Sequence, residues 1–252
     1  MTPKSDPLAR PGDIAEALAL LTRLPVPAQS EHRGARAAWA WPLAGLAVAL
    51  LASLAGWLAL ALGLPTMLAA GLILATQIAA TGALHEDGLA DTADGFWGGQ
   101  TRARRLEIMK DSRIGSYGVL ALVLALGLRW GALVAILEAG GLFAPLIAVA
   151  VLSRAPMAVL MAAMPNARGT GLAQDIGPPG QDAATLGVII ALGVAALVLG
   201  WGVLAPILWA TLAVIALAAV ARAKIGGQTG DILGAAQQLA EIAALAALAA
   251  SL

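Results

Sequence analysis

Residues 183–221 read AATLGVIIALGVAALVLGWGVLAPILWATLAVIALAAVA, a run without a single charged side chain. A helix that crosses the apolar core of a membrane needs about 20 apolar residues, so this run is too long for one crossing. Gly200, Trp201 and Gly202, followed by Pro206, provide a natural turn within it. The sequence therefore predicts two membrane helices that fold back on each other, over residues 184–201 and 203–221.

The rest of the chain has the same apolar character. Of its 252 residues, 60% are hydrophobic and only 12% are charged, a balance that lies outside the range of soluble domains. The length criterion predicts five further membrane helices, which makes about seven in all. These five cover residues 38–62, 66–85, 115–137, 141–164 and 232–250. We therefore predict an all-α fold, a polytopic membrane helix bundle that forms one domain over residues 1–252.

Basic side chains predict the orientation of this bundle, because Lys and Arg collect in cytoplasmic loops. With the N-terminus in the cytoplasm, 13 of the 15 basic residues, Lys4 among them, lie on the cytoplasmic side. Arg129 and Arg154 are the exceptions, since they fall inside predicted helices. Glu241 and Glu138 are candidate partners for these two arginines, because ionisable groups at membrane depth need a partner or a cavity.

Residues 1–37 are predicted to form a cytoplasmic segment ahead of the first membrane helix. Within this segment, Ile14, Leu18 and Leu21 have helical spacing, and the helix is expected to stop at Pro25-Val26-Pro27. We expect this amphipathic helix to lie on the inner membrane surface. Charged residues interrupt the first 30 positions, so no cleavable signal peptide is apparent.

An acidic run, EDGLADTADG, occupies residues 86–95 within a charge-rich cytoplasmic segment that covers residues 85–114. If a helix continues through it, about 100° per residue places Asp87, Asp91 and Asp94 within about 60° of one another. Three carboxylates on one face repel each other unless a cation joins them. We therefore predict a Mg²⁺ site here, with Mn²⁺ as an alternative ion. The chain has no cysteine, which excludes thiolate metal sites.

Other residues of the acidic run are harder to place. Glu86 lies about 100° away from the predicted metal-binding face. We therefore expect it to contact the metal ligands, or to lie on the surface, rather than to bind the metal itself. Gly88 and Gly95 count against a continuous helix, but glycine also lets a backbone approach a phosphate closely. A solvated acidic loop without a metal is the simpler alternative for the whole run.

Basic residues follow the acidic run and suggest a phosphorylated substrate. Arg102 and Arg105 are candidates for binding it, because arginine forks grip phosphate oxygens in pairs. Lys110 and Arg113 are candidate catalytic residues that would neutralise charge developing in phosphoryl transfer. Asp111, between them, is a candidate general base or metal ligand. A purely topological role for the basic residues remains open at this point.

A glycine-rich segment, GGQTGD, precedes the last predicted helix on the same cytoplasmic side, at residues 226–231. Gly227 and Thr229 are candidates for contacting substrate phosphate, and Asp231 is a candidate catalytic base or further metal ligand. The segment is not a P-loop, because it lacks the Gly-Lys-Ser/Thr ending. The alternative is that Asp231 caps the N-terminus of the last helix.

Four motifs, in this order along the chain, carry a resemblance to a known family. They are LLTRLPVP at residues 20–27, EDGLADTADGFWGG at 86–99, IMKDSRIGSYG at 108–118 and GGQTGD at 226–231. On these motifs the chain resembles the cobalamin synthase family, the adenosylcobinamide-GDP ribazoletransferases of bacterial vitamin B12 assembly. The resemblance extends over nearly the whole chain.

The resemblance implies a Mg²⁺-dependent transferase in the bacterial inner membrane, with an active site that faces the cytoplasm. In such an enzyme, α-ribazole or its 5′-phosphate attacks the corrinoid-side phosphate of adenosylcobinamide-GDP. GMP leaves, and the product is adenosylcobalamin or its 5′-phosphate. The implied partners are these small molecules and the lipid bilayer, without nucleic acid. The oligomeric state stays open, a homo-oligomer included.

Two other functions remain open on the sequence. The acidic run is similar to the signature of CDP-alcohol phosphotransferases, which would share the metal site but use a CDP donor and a lipid substrate. Asp91 stands where that signature has arginine. An ion-coupled transporter would instead use the arginine and glutamate residues inside the membrane. The lack of an inverted sequence repeat and the one-sided charge distribution count against a transporter.

Overall fold

The computed structural model describes residues 7–27 and 32–252, so Lys4 lies outside the described residues. Within these ranges the chain forms helices and no strand, which confirms the predicted all-α class. The α-helices are α1 Gly12–Leu21, α2 Trp41–Ala61, α3 Thr66–Thr81, α4 Leu84–Gly98, α5 Arg102–Ile108, α6 Ser116–Glu138, α7 Phe143–Ala163, α8 Leu172–Ile176, α9 Gln181–Leu199, α10 Leu204–Ile225 and α11 Gly230–Ala249. Two 3₁₀ helices cover Gly34–Ala40 and Gly200–Val203.

The structure does not confirm the predicted number of seven membrane crossings. Five stretches of described helix are long and apolar enough to cross a membrane, or six if α3 and α4 together count as one span. The five are Gly34–Ala61, Ser116–Glu138, Phe143–Ala163, Gln181–Ile225 and Gly230–Ala249. The multi-pass character is confirmed, but the count of seven is not.

The stretch Gln181–Ile225 contains the turn that the sequence predicts. Gly200 has a φ of +56°, a left-handed conformation that glycine adopts without steric cost. Val188 of α9 and Ala218 of α10 line the same apolar cavity against α7. Both arms therefore contact α7, and the chain reverses direction near Gly200.

A sharp bend separates α3 from the acidic helix α4. The two helix axes differ by 87°, because Gly82 and Ala83 both have left-handed backbone conformations, with φ values of +64° and +58°. The bend ends α3 at Thr81, before the predicted boundary at residue 85. Beyond it, α4 continues through the entire acidic run as one helix.

The N-terminal helix α1 forms where the sequence predicts it, but it ends at Leu21. The hydroxyl of Thr22 donates to the carbonyl of Leu18 and accepts from the backbone N–H of Leu24, which terminates the helix early. Asp13 is buried and accepts hydrogen bonds of 2.6 Å from both Arg33 Nη1 and Trp39 Nε1. These contacts dock α1 against the segment that leads into α2.

Helix α11 lies at the centre of the bundle, in contact with α4, α6, α7 and α10. Small residues allow its neighbours to approach closely. At the crossing with α4, a Cβ added to Gly88 would lie only 2.8 Å from the carbonyl oxygen of Asp231 and 3.2 Å from Cα of Gly234. Gly88 therefore allows the backbone of α4 to pack directly against the start of α11.

Candidate active site

A cavity of about 180 Å³ lies where α4 meets the start of α11. Its polar lining comes from these two helices and from the loop after α7. The polar side chains are His85, Asp87, Arg168, Thr170 and Asp231. Carboxylates from α4 and α11 and a guanidinium from the loop thus face one space.

Asp87 and Asp231 line this cavity, and Asp91 lies close enough to interact with both; these three residues are hereafter the carboxylate group. Asp91 interacts electrostatically with both Asp231 and Asp87, and also with the guanidinium of Arg168. Asp91 and Asp87 come from α4, as the helical spacing predicts, whereas Asp231 comes from α11. Neighbouring negative charges repel each other, so the carboxylate group favours a bound cation.

The chemistry of the carboxylate group fits a magnesium ion. Mg²⁺ typically binds through one or two carboxylates and completes its shell with water and substrate phosphate. Among the residues that the structure describes, no three His, Asp or Glu side chains are grouped closely enough to hold an ion by themselves. An ion here would thus be held by Asp87, Asp91 or Asp231 together with a substrate phosphate. The dependence on Mg²⁺ stays a prediction.

Asp94, the third acid of the predicted stripe, is engaged elsewhere. Its two carboxylate oxygens accept hydrogen bonds from the backbone N–H groups of Gly115 and Gly118, at 2.7 and 2.9 Å. These N–H groups belong to the start of α6, where a negative charge is favourable. Asp94 therefore anchors α6 to α4 in this structure, which leaves Asp87 and Asp91 as the acids of α4 nearest to Asp231.

Glu86 points into the bundle rather than towards the carboxylate group. Its Oε1 lies 2.8 Å from Arg129 Nη1 and accepts a hydrogen bond of 3.2 Å from Gln238. The expectation that Glu86 assists the metal ligands from beside them does not match this placement. Arg129 also pairs with Glu241, one of its two candidate partners, at 2.8 Å. The other candidate, Glu138, instead accepts a hydrogen bond from Thr66.

Arg168 is a candidate site residue that the sequence did not single out. Its guanidinium forms an ion pair with Asp231, and it lines the cavity. An isolated β-bridge between Asn166 and Gln228 holds the loop that carries Arg168 against the glycine-rich segment. The available signal was an arginine among Asn, Gly and Thr directly after a membrane helix, in the run NARGTG at residues 166–171.

The glycine-rich segment positions Asp231. Thr229 caps α11 by accepting a hydrogen bond from the backbone N–H of Ile232, and its hydroxyl donates to Asp231 Oδ2 at 3.2 Å. The cap is therefore Thr229, and the alternative in which Asp231 is the cap is wrong. Gly227 packs against the carbonyl of Pro165 so closely that a Cβ would clash with it. Direct phosphate contacts by Gly227 and Thr229 stay predictions.

Arg102 and Arg105 connect the loops at this end of the bundle. Arg102 donates to the carbonyl of Ala167 at 3.2 Å. Arg105 donates to the carbonyls of Gly99 and Lys224, at 2.9 and 3.0 Å. Both arginines thus have backbone partners, and their predicted contact with substrate phosphate remains untested.

Lys110, Asp111 and Arg113 lie outside the cavity, in the connection between α5 and α6. Lys110 and Arg113 are exposed, and Arg113 pairs with Asp111 at 2.7 Å. Hydrogen bonds from Arg113 lower the pKa of Asp111 to about 2, so this carboxyl is ionised at neutral pH. The structure does not bring these three residues to the carboxylate group, and their catalytic roles stay predictions.

The chain is similar to known proteins over almost its whole length. A family model described as cobalamin-5-phosphate synthase matches residues 13–249. The adenosylcobinamide-GDP ribazoletransferase of Bradyrhizobium diazoefficiens is 46% identical over 94% of this chain and 93% of that protein. The proteins of that name from Azorhizobium caulinodans and Brucella canis are 47% and 44% identical, over 92% and 96% of this chain and 93% and 97% of theirs. No solved structure matches the chain.

Proposed function

The chain belongs to the cobalamin-5-phosphate synthase family, and we propose on that premise that it is an adenosylcobinamide-GDP ribazoletransferase. The proposed reaction joins α-ribazole, or its 5′-phosphate, to adenosylcobinamide-GDP and releases GMP. The observation that carries this proposal is the meeting of Asp87, Asp231 and Arg168 at one cavity, with Asp91 close enough to interact with all three. Transfer from a diphosphate requires both a cation held by carboxylates and basic groups that stabilise phosphate charge.

The bonds exchanged in this reaction define what the protein must do. A ribose hydroxyl oxygen of the acceptor forms a bond to the phosphorus on the corrinoid side of the diphosphate. The bond from that phosphorus to the bridging oxygen breaks, and GMP leaves with the electron pair. The hydroxyl proton must pass to a base, and the negative charge on the diphosphate must be neutralised.

Asp231 is the proposed base, because it lines the cavity whereas Asp111 lies outside it. Arg168 and Thr229 both donate to Oδ2 of Asp231, which fixes the carboxylate and leaves Oδ1 to accept the proton. Arg168 also supplies positive charge beside the diphosphate. A Mg²⁺ ion held by Asp87 and Asp91 would neutralise further charge on the phosphates and the leaving group.

The proposed location is the inner membrane of a bacterium, with the cavity on the cytoplasmic side. The distribution of basic residues supports this orientation. Arg102, Arg168, Arg222 and Lys224 all lie at the end of the bundle that contains the cavity. At the other end, the turns at residues 62–65, 139–142 and 200–203 contain no Lys or Arg.

A direct assay tests the proposal. Detergent-solubilised protein, supplemented with lipid, is incubated with adenosylcobinamide-GDP, α-ribazole 5′-phosphate and Mg²⁺, and both GMP and the corrinoid product are measured. A parallel incubation supplies a CDP-alcohol donor in place of adenosylcobinamide-GDP. We expect product from the first mixture only. Product from the CDP donor alone would overturn the proposal in favour of a CDP-alcohol phosphotransferase.

A further inference from the structure

The bend between α3 and α4 contains a residue in an unfavourable conformation. Gly82 and Ala83 have φ values of +64° and +58°. Glycine adopts a left-handed conformation without steric cost, whereas in alanine the Cβ comes too close to the following carbonyl oxygen. A residue stays in such a conformation only where its surroundings hold it there. Specific contacts must therefore hold the bend ahead of the acidic helix.

The end of α3 supplies some of these contacts, and the segment after α1 supplies another. The N–H groups of Gly82 and Ala83 donate back to carbonyls in the last turn of α3, which is how helices that end in a left-handed residue are closed. The carbonyl of Ala80, in the same turn, accepts a hydrogen bond of 2.7 Å from the backbone N–H of Arg23. A segment distant in sequence thus completes the end of α3.

The side chain of Arg23 lies against the bend itself. A Cβ added to Gly82 would lie 2.5 Å from Nε of Arg23, 2.9 Å from its Cγ and 3.2 Å from its Cδ. Arg23 is nevertheless an exposed residue. Arginine commonly packs its aliphatic stem against the protein while its charged head stays in water. The contact with Gly82 is therefore mainly one of packing, made by the stem.

The backbone around Arg23 is fixed on both sides by the residue before it. Thr22 is buried, and its hydroxyl donates to the carbonyl of Leu18 at 2.6 Å. The same hydroxyl accepts a hydrogen bond of 3.2 Å from the backbone N–H of Leu24. Arg23 is thus held in one place between the end of α1 and the bend.

The end of α1 and the start of α4 also meet at the cavity of the candidate site. Leu20 and Leu21 line it from α1, and Leu84 and His85 line it from α4. Arg23 follows the first pair by two residues, and Gly82 precedes the second pair by two. The contact between Arg23 and Gly82 therefore joins two elements that form the same cavity wall.

Helix α4 begins at Leu84, directly after the bend, and Asp87 lies in its first turn. The bend therefore sets the direction in which the acidic helix approaches the start of α11. We propose that Arg23 is a positioning residue: its N–H and its stem hold the bend, and so keep Asp87 and Asp91 beside Asp231. The effect on turnover rests on the proposed function, whereas the effect on the bend does not.

A double-mutant cycle tests the contact without any turnover. Gly82→Ala should lower the unfolding temperature through backbone strain and through the clash with Arg23. In Arg23→Ala the clash is absent, so adding Gly82→Ala should lower the unfolding temperature clearly less. Gly63→Ala is the matched control, because Gly63 has a φ of +81° and an added Cβ there would meet nothing within 4 Å. Its effect should be equal in both backgrounds.

Turnover per folded protein tests the positioning role. We expect Arg23→Ala to lower kcat for GMP release about tenfold, because small displacements of catalytic groups are costly. KM for both substrates should stay near the wild-type values. Arg23→Met keeps an unbranched stem without the charge and should retain most of the wild-type kcat. Arg104→Ala, which removes an exposed arginine paired with Glu107, should match the wild type.

Three results would overturn the inference. The first is an equal effect of Gly82→Ala in the wild-type and Arg23→Ala backgrounds, which would mean that Arg23 does not press on the bend. The second is wild-type kcat in Arg23→Ala, which would reduce the contact to a contribution to stability. The third is a rise in KM shared by Arg23→Ala and Arg23→Met, which would mean that the guanidinium binds a substrate directly.

The cycle also separates failure of this inference from failure of the proposed function. If the wild type forms GMP and corrinoid product but the cycle shows no coupling, the role of Arg23 is wrong and the function stands. If the wild type forms no product but the cycle shows coupling between Arg23 and Gly82, the function is wrong and the hold of Arg23 on the bend stands.

Discussion

Arg129 Nη1 lies 2.8 Å from Oε1 of Glu86, and both side chains are buried inside the bundle. Glu86 directly precedes Asp87, so this ion pair fixes the start of the acidic helix. The same guanidinium pairs with Glu241 of α11 and donates to Gln77 of α3. One arginine on α6 therefore connects α3, α4 and α11, the elements that position the carboxylate group.

Removing this arginine should destabilise the fold. Arg129→Ala leaves Glu86 and Glu241 buried without their cation, which typically costs about 3–5 kcal/mol. Thermal unfolding in detergent measures the loss, with Glu138→Gln as control, because Glu138 is exposed and accepts only a long hydrogen bond from Thr66. A wild-type unfolding temperature for Arg129→Ala would contradict the buried ion-pair network.

The contact between α4 and α11 can be tested with a pair of glycine substitutions on one helix. In Gly88→Ala the new Cβ would meet the backbone of Asp231 at 2.8 Å, whereas in Gly98→Ala it would meet only the side chain of Ile108, at 3.6 Å. We expect Gly88→Ala to destabilise the protein by about 1–3 kcal/mol and to reduce GMP release, because α4 must move away from Asp231. Gly98→Ala should resemble the wild type. Equal behaviour of the two variants would argue against close packing at Gly88.

Substitution of Arg168 should lower turnover far more than substitution of Arg222, a basic residue at the same end of the bundle without contacts to the carboxylate group. Arg168→Ala removes the partner of Asp231 and a cation beside the diphosphate, so turnover should fall by about 10²-fold. Arg222→Ala removes an exposed side chain that donates only to the carbonyl of Ala163, and turnover should stay near that of the wild type. If both variants lose the same activity, the effect of Arg168 is only that of general positive charge.

Asp231 and Asp111 are the two candidate bases, and the structure separates them. Asp231→Asn should lower turnover by about 10²-fold or more, the usual contribution of a positioned base. Asp111→Asn should have a much smaller effect, because the carboxylate lies outside the cavity and is paired with Arg113. Initial rates at saturating substrates measure both. The reverse order of the two effects would mean that the connection after α5 folds over the site during the reaction.

Local patterns predicted much of the architecture. Apolar run length placed the main helices, and the glycine pair around Trp201 marked the reversal between α9 and α10. The acidic run does lie on one helix, which is the condition on which its predicted helical spacing depended. The bend before α4 was not predictable in this way. It requires a left-handed Ala83 as well as Gly82, and alanine gives no sign of such a conformation in a sequence.

The candidate site was predicted in part, because its residues come from distant elements. Asp87 and Asp91 share one helix face, so their proximity follows from spacing alone. The approach of Asp231 and Arg168 depends on the crossing of α4 with α11 and on the bridge between Asn166 and Gln228. Such tertiary contacts leave no periodic pattern in the sequence.

Asp91 interacts electrostatically with both Asp87 and Asp231, and we propose that it belongs to a metal-assisted site for phosphoryl transfer. The most direct test compares wild type and Asp91→Asn, a substitution of nearly equal shape, in GMP release from adenosylcobinamide-GDP with α-ribazole 5′-phosphate over a range of Mg²⁺ concentrations. We predict Mg²⁺-dependent release by the wild type and none by a folded Asp91→Asn protein. Wild-type turnover by Asp91→Asn at saturating Mg²⁺ would contradict the claim.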